Sequence, residues 1–167
     1  MNEYVIRTAT HSDAASVTAL LQASFPILMR TAYDTAKLAP ALELMTKAQP
    51  ALLASGSYYV AESQEGSLVG CGGWTREHPG DGIIKEEVGH VRHFGTHPDW
   101  TNRGIGRAIY SLCETDARDA GVTRMDCYSS LNAEGFYSAL GFDRVHLLDL
   151  ELTSNVSLPC VLMHRRI

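Results

Sequence analysis

The chain has no uninterrupted apolar run of about 18 residues, the minimum for a membrane-spanning helix. No basic N-terminal region leads into an apolar stretch, so the sequence reads as a cytoplasmic protein without a signal or anchor. There is no Cys-x-x-Cys pair. The four cysteines, Cys71, Cys113, Cys127 and Cys160, each sit among apolar neighbours and read as small core residues in a reducing compartment, not a disulfide framework. Positive charge is scarce: 14 Lys and Arg against 19 Asp and Glu give a formal charge of −5. That balance opposes non-specific binding to nucleic acid or an acidic membrane, so any anionic ligand must be held by a local site. Internal repeats, low-complexity segments and linkers are absent too. The 167 residues therefore read as one domain, 1–167, long enough to bury a core without a metal or disulfide staple.

What is present is an alternation of short strands and amphipathic helices. Tyr4–Arg7 reads as a first strand, and Ser12 or Asp13 caps a helix carrying Val17, Leu20, Leu21 and Phe25, with Pro26 as its expected end. Asp34–Ala48 has a helical stripe of Leu38, Leu42 and Met45, which Pro40 is expected to break. Ser57–Ser63 and Leu68–Thr75 form a hairpin pattern, with Gly70, Gly72 and Gly73 permitting close backbone approach. Glu77–Gly82 reads as a polar loop and Glu86–Thr96 as a long strand. From Gly104 to Ala120 runs the clearest helix, stopped by Gly121. Arg124–Tyr128 (strand), Asn132–Leu140 (helix), Phe142–Leu150 (strand) and Cys160–His164 (strand after a Pro159 break) complete the pattern. Strand–helix–strand succession after residue 86 implies a parallel pair, and the early hairpin implies an antiparallel part.

Two motifs carry chemistry. Arg103-Gly-Ile-Gly-Arg107 places two glycines at a helix start, where free backbone N–H groups and the positive end of the helix dipole converge on an anion. Gly104 and Gly106 clear the approach, Ile105 contributes an amide, and Arg103 and Arg107 add charge. No Gly-Lys-Ser/Thr follows, so this is not a P-loop. Ile109 occupies the place of the third glycine of a dinucleotide fingerprint. The second motif, Asn132-Ala-Glu-Gly-Phe-Tyr-Ser-Ala-Leu-Gly-Phe142, presents the phenol of Tyr137. A phenol is protonated at neutral pH and suits donation to a leaving group.

Together these segments resemble the GCN5-related N-acetyltransferase (GNAT) family, whose turn reads Gln/Arg-x-x-Gly-x-Gly/Ala. Thr101-Asn-Arg-Gly-Ile-Gly106 keeps both glycines and replaces the leading Gln/Arg by Thr101, while the Asn-Ala-x-x-Phe-Tyr-x-x-x-Gly-Phe segment matches throughout. The resemblance implies a mixed α/β fold: a central curved, mostly antiparallel sheet with a splayed parallel pair, flanked by helices. It implies an acetyl-coenzyme A-dependent transferase acting directly on a primary amine of a small molecule or peptide, with no metal and with a homodimer as a common state. The strand His90–Thr96 would be the splayed one. Phe94 and Thr96 would offer backbone groups to pantetheine, Gly95 would ease a bulge, Asn132 would contact the cofactor arm, and Tyr137 would stand near the sulfur.

Amine acetylation also needs a proton acceptor. His90 takes the position of the family's strand carboxylate, with Glu87, Glu86 and His93 as rivals on the same stretch. His90, His93 and His97 do not form a metal-ligand spacing on a strand unless a bulge intervenes, and no carboxylate or cysteine completes a shell. Cysteine nucleophiles are not in evidence, which favours direct transfer. Two other readings share the cradle: a non-catalytic acyl-coenzyme A sensor and a transferase of longer acyl chains.

Overall fold

A computed structural model describes residues 3–167. Seven strands form one sheet in the order β1-β2-β3-β4-β5-β7-β6: β1 (Tyr4–Thr8), β2 (Tyr58–Ser63), β3 (Leu68–Thr75), β4 (Val88–Thr96), β5 (Arg124–Ser130), β6 (Asp143–Thr153) and β7 (Val156–Arg166). Every neighbouring pair is antiparallel except β4–β5. The helices are α1 (Ala14–Leu28), α2 (Thr35–Met45), α3 (Pro50–Leu53), α4 (Ile105–Asp119) and α5 (Glu134–Ala139). This is the expected mixed α/β architecture with a single parallel pair. Among the described residues, no helix is long and apolar enough to cross a membrane.

Hydrophobic periodicity decides which helix covers which face. On α4, Ile105, Ile109, Cys113 and Ala117 recur every fourth residue and are all buried, so one stripe packs on Val91, Met125 and Cys127 of the sheet. On the other face, Val17, Leu20 and Leu21 of α1 pack with Leu52, Leu53, Tyr58, Val60 and Cys71. All four cysteines are free and buried.

Three prolines behave differently from the sequence reading. α1 does not stop at Pro26 but continues to Leu28, and Met29 N–H still reaches the Phe25 carbonyl at 2.9 Å. Pro26 stands in the last turn, where only one intrahelical bond is lost. α2 runs unbroken through Pro40. An interior proline costs about 3 kcal/mol. Burial of a Leu or Met side chain returns about 1.5–3 kcal/mol each, and Leu38, Leu42 and Met45 all pack into one cluster with Leu158. Packing therefore outweighs the proline. β7 likewise runs through Pro159, because β5 ends with Ser130 opposite Cys160 and leaves no partner on that side for a proline N–H. The Pro159 carbonyl accepts from Tyr33 Oη at 2.6 Å. The Asn132–Leu140 segment is a 3-10 turn, Leu131–Ala133, followed by α5.

Candidate active site at the β4–β5 splay

β4 and β5 pair over Val88–Arg124, Gly89–Met125 and His90–Asp126 only. Beyond His90 the two strands run on to Thr96 and Ser130 without bonding each other. The divergence begins beside a bulge: the β3–β4 register shifts between Cys71 and Gly73, and His93 takes φ = 54°. Gly95 does not make this bulge. Its missing Cβ instead clears Leu21, whose Cδ2 would lie 2.8 Å from such an atom. Phe94 lies on the stretch of β4 that β5 no longer pairs, and the Thr96 carbonyl accepts from Ser24 Oγ at 2.6 Å.

The open slot leads to the start of α4. The connecting turn begins with His97, whose side chain accepts from Asp99 N–H at 3.1 Å. It then passes through Asn102 at φ = 62° and Gly104 at φ = 78°. Nothing lies within 4 Å of where a Gly104 Cβ would project, so the first-turn amides of α4 open to an incoming group. Gly106 also makes room for an aromatic: a Cβ there would come within 2.8 Å of the Phe136 ring. Arg103 lies 4.5 Å over the Trp100 ring and 2.7 Å from a Glu3 carboxylate oxygen, and Arg107 Nη2 donates to the Ala139 carbonyl at 3.3 Å. Ile105 is fully buried, and Asn132 is exposed at the turn before α5.

Tyr137 enters from α5. It is only 6% exposed, with ring centroids 6.4 Å from Phe94, 5.0 Å from Phe136 and 5.6 Å from Phe142. Its hydroxyl lies near the Cys127 thiol of β5, and burial, with that thiol adding to it, raises its pKa well above the ordinary phenol value. The phenol therefore keeps its proton throughout the physiological range.

Polar groups gather on the opposite face of β5. His90, 5% exposed, is held down to a pKa of about 4, chiefly by burial, with Asp126 opposing the shift. The His78 ring meets it edge-on at 5.2 Å between centroids. His78 Nε2 lies 2.6 Å from Tyr128 Oη, and its Nδ1 lies 3.0 Å from Asp81 Oδ1. Arg124 pairs with Asp126 at 2.8 Å. Glu86 and Glu87 are exposed ahead of β4, and the Glu87 carbonyl accepts from the Thr123 and Arg124 amides at the closed end of the strand pair. His93 is turned away by the bulge, its Nε2 2.6 Å from the Met45 carbonyl and its ring 6.1 Å from Phe25. Among the described residues, no three His, Cys, Asp or Glu converge as a metal site. The structure thus gathers Tyr137, Phe94 and the Gly104 turn along one slot and places His90 at its apex. It adds His78, Asp81 and Tyr128, which the sequence reading left in a polar loop and a short strand. Only the alternation Asp126, Tyr128, Ser130 along β5 hinted at a shared polar face.

This geometry agrees with the likenesses to known proteins. Over 93 residues the chain is 33% identical to a mycothiol acetyltransferase of Cellulomonas flavigena, a stretch covering 52% of this chain and 26% of that protein. The matched segment is thus about a quarter of that relative's length. A GCN5-related N-acetyltransferase from Rhodopseudomonas palustris superposes with a TM-score of 0.80 at 20% identity, covering 100% of this chain and 98% of that one. The PaiA N-acetyltransferase of Thermoplasma acidophilum, solved with coenzyme A, superposes at 0.72 with 15% identity and covers 100% of both chains. At these identities the superpositions speak for the fold. The sequence profile of the acetyltransferase (GNAT) family matches residues 16–142, well over half the chain. With that match, the splayed parallel pair and the glycine turn at the head of α4, this chain belongs to the acetyltransferase (GNAT) family.

Proposed function

We propose that the whole chain is one N-acetyltransferase domain that transfers an acetyl group from acetyl-coenzyme A directly to a primary amine of a small molecule or peptide. The observation carrying this reading is the parting of β4 from β5 after His90, in line with a helix start whose Gly104 leaves its amides open. The residues fit the co-substrate. A diphosphate suits the first-turn amides of α4 around Gly104 and Ile105. The backbone at Phe94, which β5 no longer pairs, suits an amide of the pantetheine arm. The coenzyme A complex of the Thermoplasma acidophilum relative supports this assignment.

Acetyl-coenzyme A supplies an activated acyl carbon and a thiolate leaving group. Tyr137 shares its buried cluster with the Cys127 sulfur and would donate a hydrogen bond to the departing thiolate. Its raised pKa favours a hydrogen bond over full proton release. Asn132, exposed at the turn before α5, and the Arg103 and Arg107 side chains flank the cofactor path. At the apex, neutral His90 would accept a hydrogen bond from the amine and orient its lone pair. Glu87 stands at the closed end of the strand pair and is less well placed. A cysteine relay has no support: burial pushes the Cys71 and Cys160 thiols up to about 11, and those of Cys113 and Cys127 higher still.

Calorimetry with coenzyme A, followed by thiol release from acetyl-coenzyme A over a panel of polyamine, amino-acid, aminoglycoside and peptide amines, tests the proposal. Binding with acceptor-dependent release is expected. Failure of a folded protein to bind coenzyme A would overturn it, and binding without release on any amine would favour the sensor reading.

A further inference from the structure

The structure assigns a proton relay to Asp81, His78 and Tyr128, a chain of carboxylate, imidazole and phenol that ends at the mouth of the β4–β5 slot. This inference rests on the acetyl-transfer reading above and deepens it by naming where the amine's proton goes.

Tyr128 lies on the stretch of β5 past the last β4 pair, His90–Asp126, so no strand bonds it on the β4 side, while on the other side it pairs with Leu162 of β7. Its neighbour Cys127 points to the other face, toward Tyr137. The two phenols thus approach the slot from opposite sides of one strand. His78 comes from the β3–β4 loop, which a His78 N–H bond to the Ile83 carbonyl at 3.0 Å and a Glu77–Ile84 bridge fold back on itself. Asp81 Oδ1 stands 3.0 Å from His78 Nδ1 but off the N–H direction, so that Nδ1 has no hydrogen bond in this geometry. The same Oδ1 accepts from the Ile83 N–H at 2.9 Å, which keeps the carboxylate beside the ring. With Nδ1–H facing a carboxylate, Nε2 is left as the acceptor of the Tyr128 O–H at 2.6 Å.

The step balances. As the amine nitrogen bonds to the acyl carbon and the carbon–sulfur bond breaks, one N–H proton passes to Tyr128 Oη. The proton formerly on Oη passes to His78 Nε2, and the resulting imidazolium faces Asp81. The proton then leaves to solvent through His78, whose side chain is 30% exposed. His90 alone serves this purpose poorly, because burial holds its pKa to about 4 and leaves it too weak a base to take the amine's proton. Groups facing the relay are His90 and Arg92 on β4, Asp126 and Arg124 on β5, and Glu77 in the loop. Burial, Asp126, Cys160 and Asp81 all hold the Tyr128 phenol up, so it starts protonated.

Two measurements test the relay. The first takes the wild type and Tyr128→Phe, His78→Gln and Asp81→Asn through pH–rate profiles with the best acceptor of the amine panel, with coenzyme A affinity measured in parallel. Tyr128→Phe and His78→Gln should lower kcat at least tenfold and change the acidic limb, Asp81→Asn should lower it about threefold, and coenzyme A affinity should stay within twofold in all three. The second reads the His78 tautomer by nitrogen-15 NMR of the free protein: Nδ1–H in the wild type, mixed in Asp81→Asn. A wild type that turns over while Tyr128→Phe keeps its rate and profile, or a His78 protonated on Nε2 in the neutral form, overturns the relay and leaves the acetyl-transfer reading standing. A wild type that neither binds coenzyme A nor acetylates an amine overturns both.

Discussion

Cys127 and Tyr128 are adjacent on β5, yet they look into two different chemical worlds. Cys127 faces α4 and α5, where it meets Tyr137 inside a dry cluster with Phe94 and Phe142. Tyr128 faces a wet cluster of His78, His90, Asp81 and Asp126, contributed by a loop and two strands. The dry side is assembled from chain-local pieces: a glycine turn that opens its own helix and an eleven-residue segment that delivers both Phe136 and Tyr137. The wet side depends on contacts between residues 50 apart, such as His78 with Tyr128. Under the proposed acetyl transfer, the acyl carrier would lie on the self-contained side and the acceptor would meet the side built from a loop.

Substitutions sharpen or break that contrast. The largest effect belongs to the dry side: Tyr137→Phe should lower turnover more than tenfold while coenzyme A affinity, measured by calorimetry, changes little. Unchanged turnover would leave Tyr137 as a core aromatic only. The wet side should instead be visible in stability against pH. Burial holds His90 at about 4 in the folded protein against a reference of about 6.5, and His93 is lowered for the same reason. The unfolded chain therefore binds more protons between these values. Stability is full above about pH 6.5 and is lost as pH falls toward 4, by up to about 1.4 kcal/mol per pH unit from His90, with His93 acting in the same direction. Denaturation at several pH values should show this slope, and His90→Gln should flatten its share; an unaltered slope would mean that His90 titrates normally. The smallest effect is at the glycine turn. Gly104→Ala puts a side chain into free space but at positive φ, costing about 1 kcal/mol, or about 2–4 °C in Tm. A larger loss by thermal denaturation would mean the turn does more than position amides.

Most of the dry side was legible in the sequence and of the wet side only His90 was, for a physical reason. The glycine pair at the head of α4, that helix's extent and the succession of strands and helices along the chain are local properties, and all were readable from spacing. Position 78 gives no such signal, since a histidine in a polar loop looks the same whether it points to solvent or back to Tyr128. The prolines fail for the converse reason. Pro26, Pro40 and Pro159 each carry a strong local signal to stop, and each was overridden by contacts that form only in the fold: the Leu38–Met45 stripe on Leu158 for Pro40, and the early end of β5 for Pro159. The bulge at His93 escaped for the same cause, because Gly95 looked like the natural site for it and is needed instead to clear Leu21.

The central claim is that the acyl carrier lies along the unpaired edge of β4 with its diphosphate on the head of α4. Titrating nitrogen-15-labelled protein with coenzyme A and following backbone amides tests this directly. The account predicts that the largest shifts fall on Phe94, Ile105 and Gly106, with Tyr137 following. Saturable binding whose shifts leave those amides unmoved and map elsewhere on the sheet would contradict it.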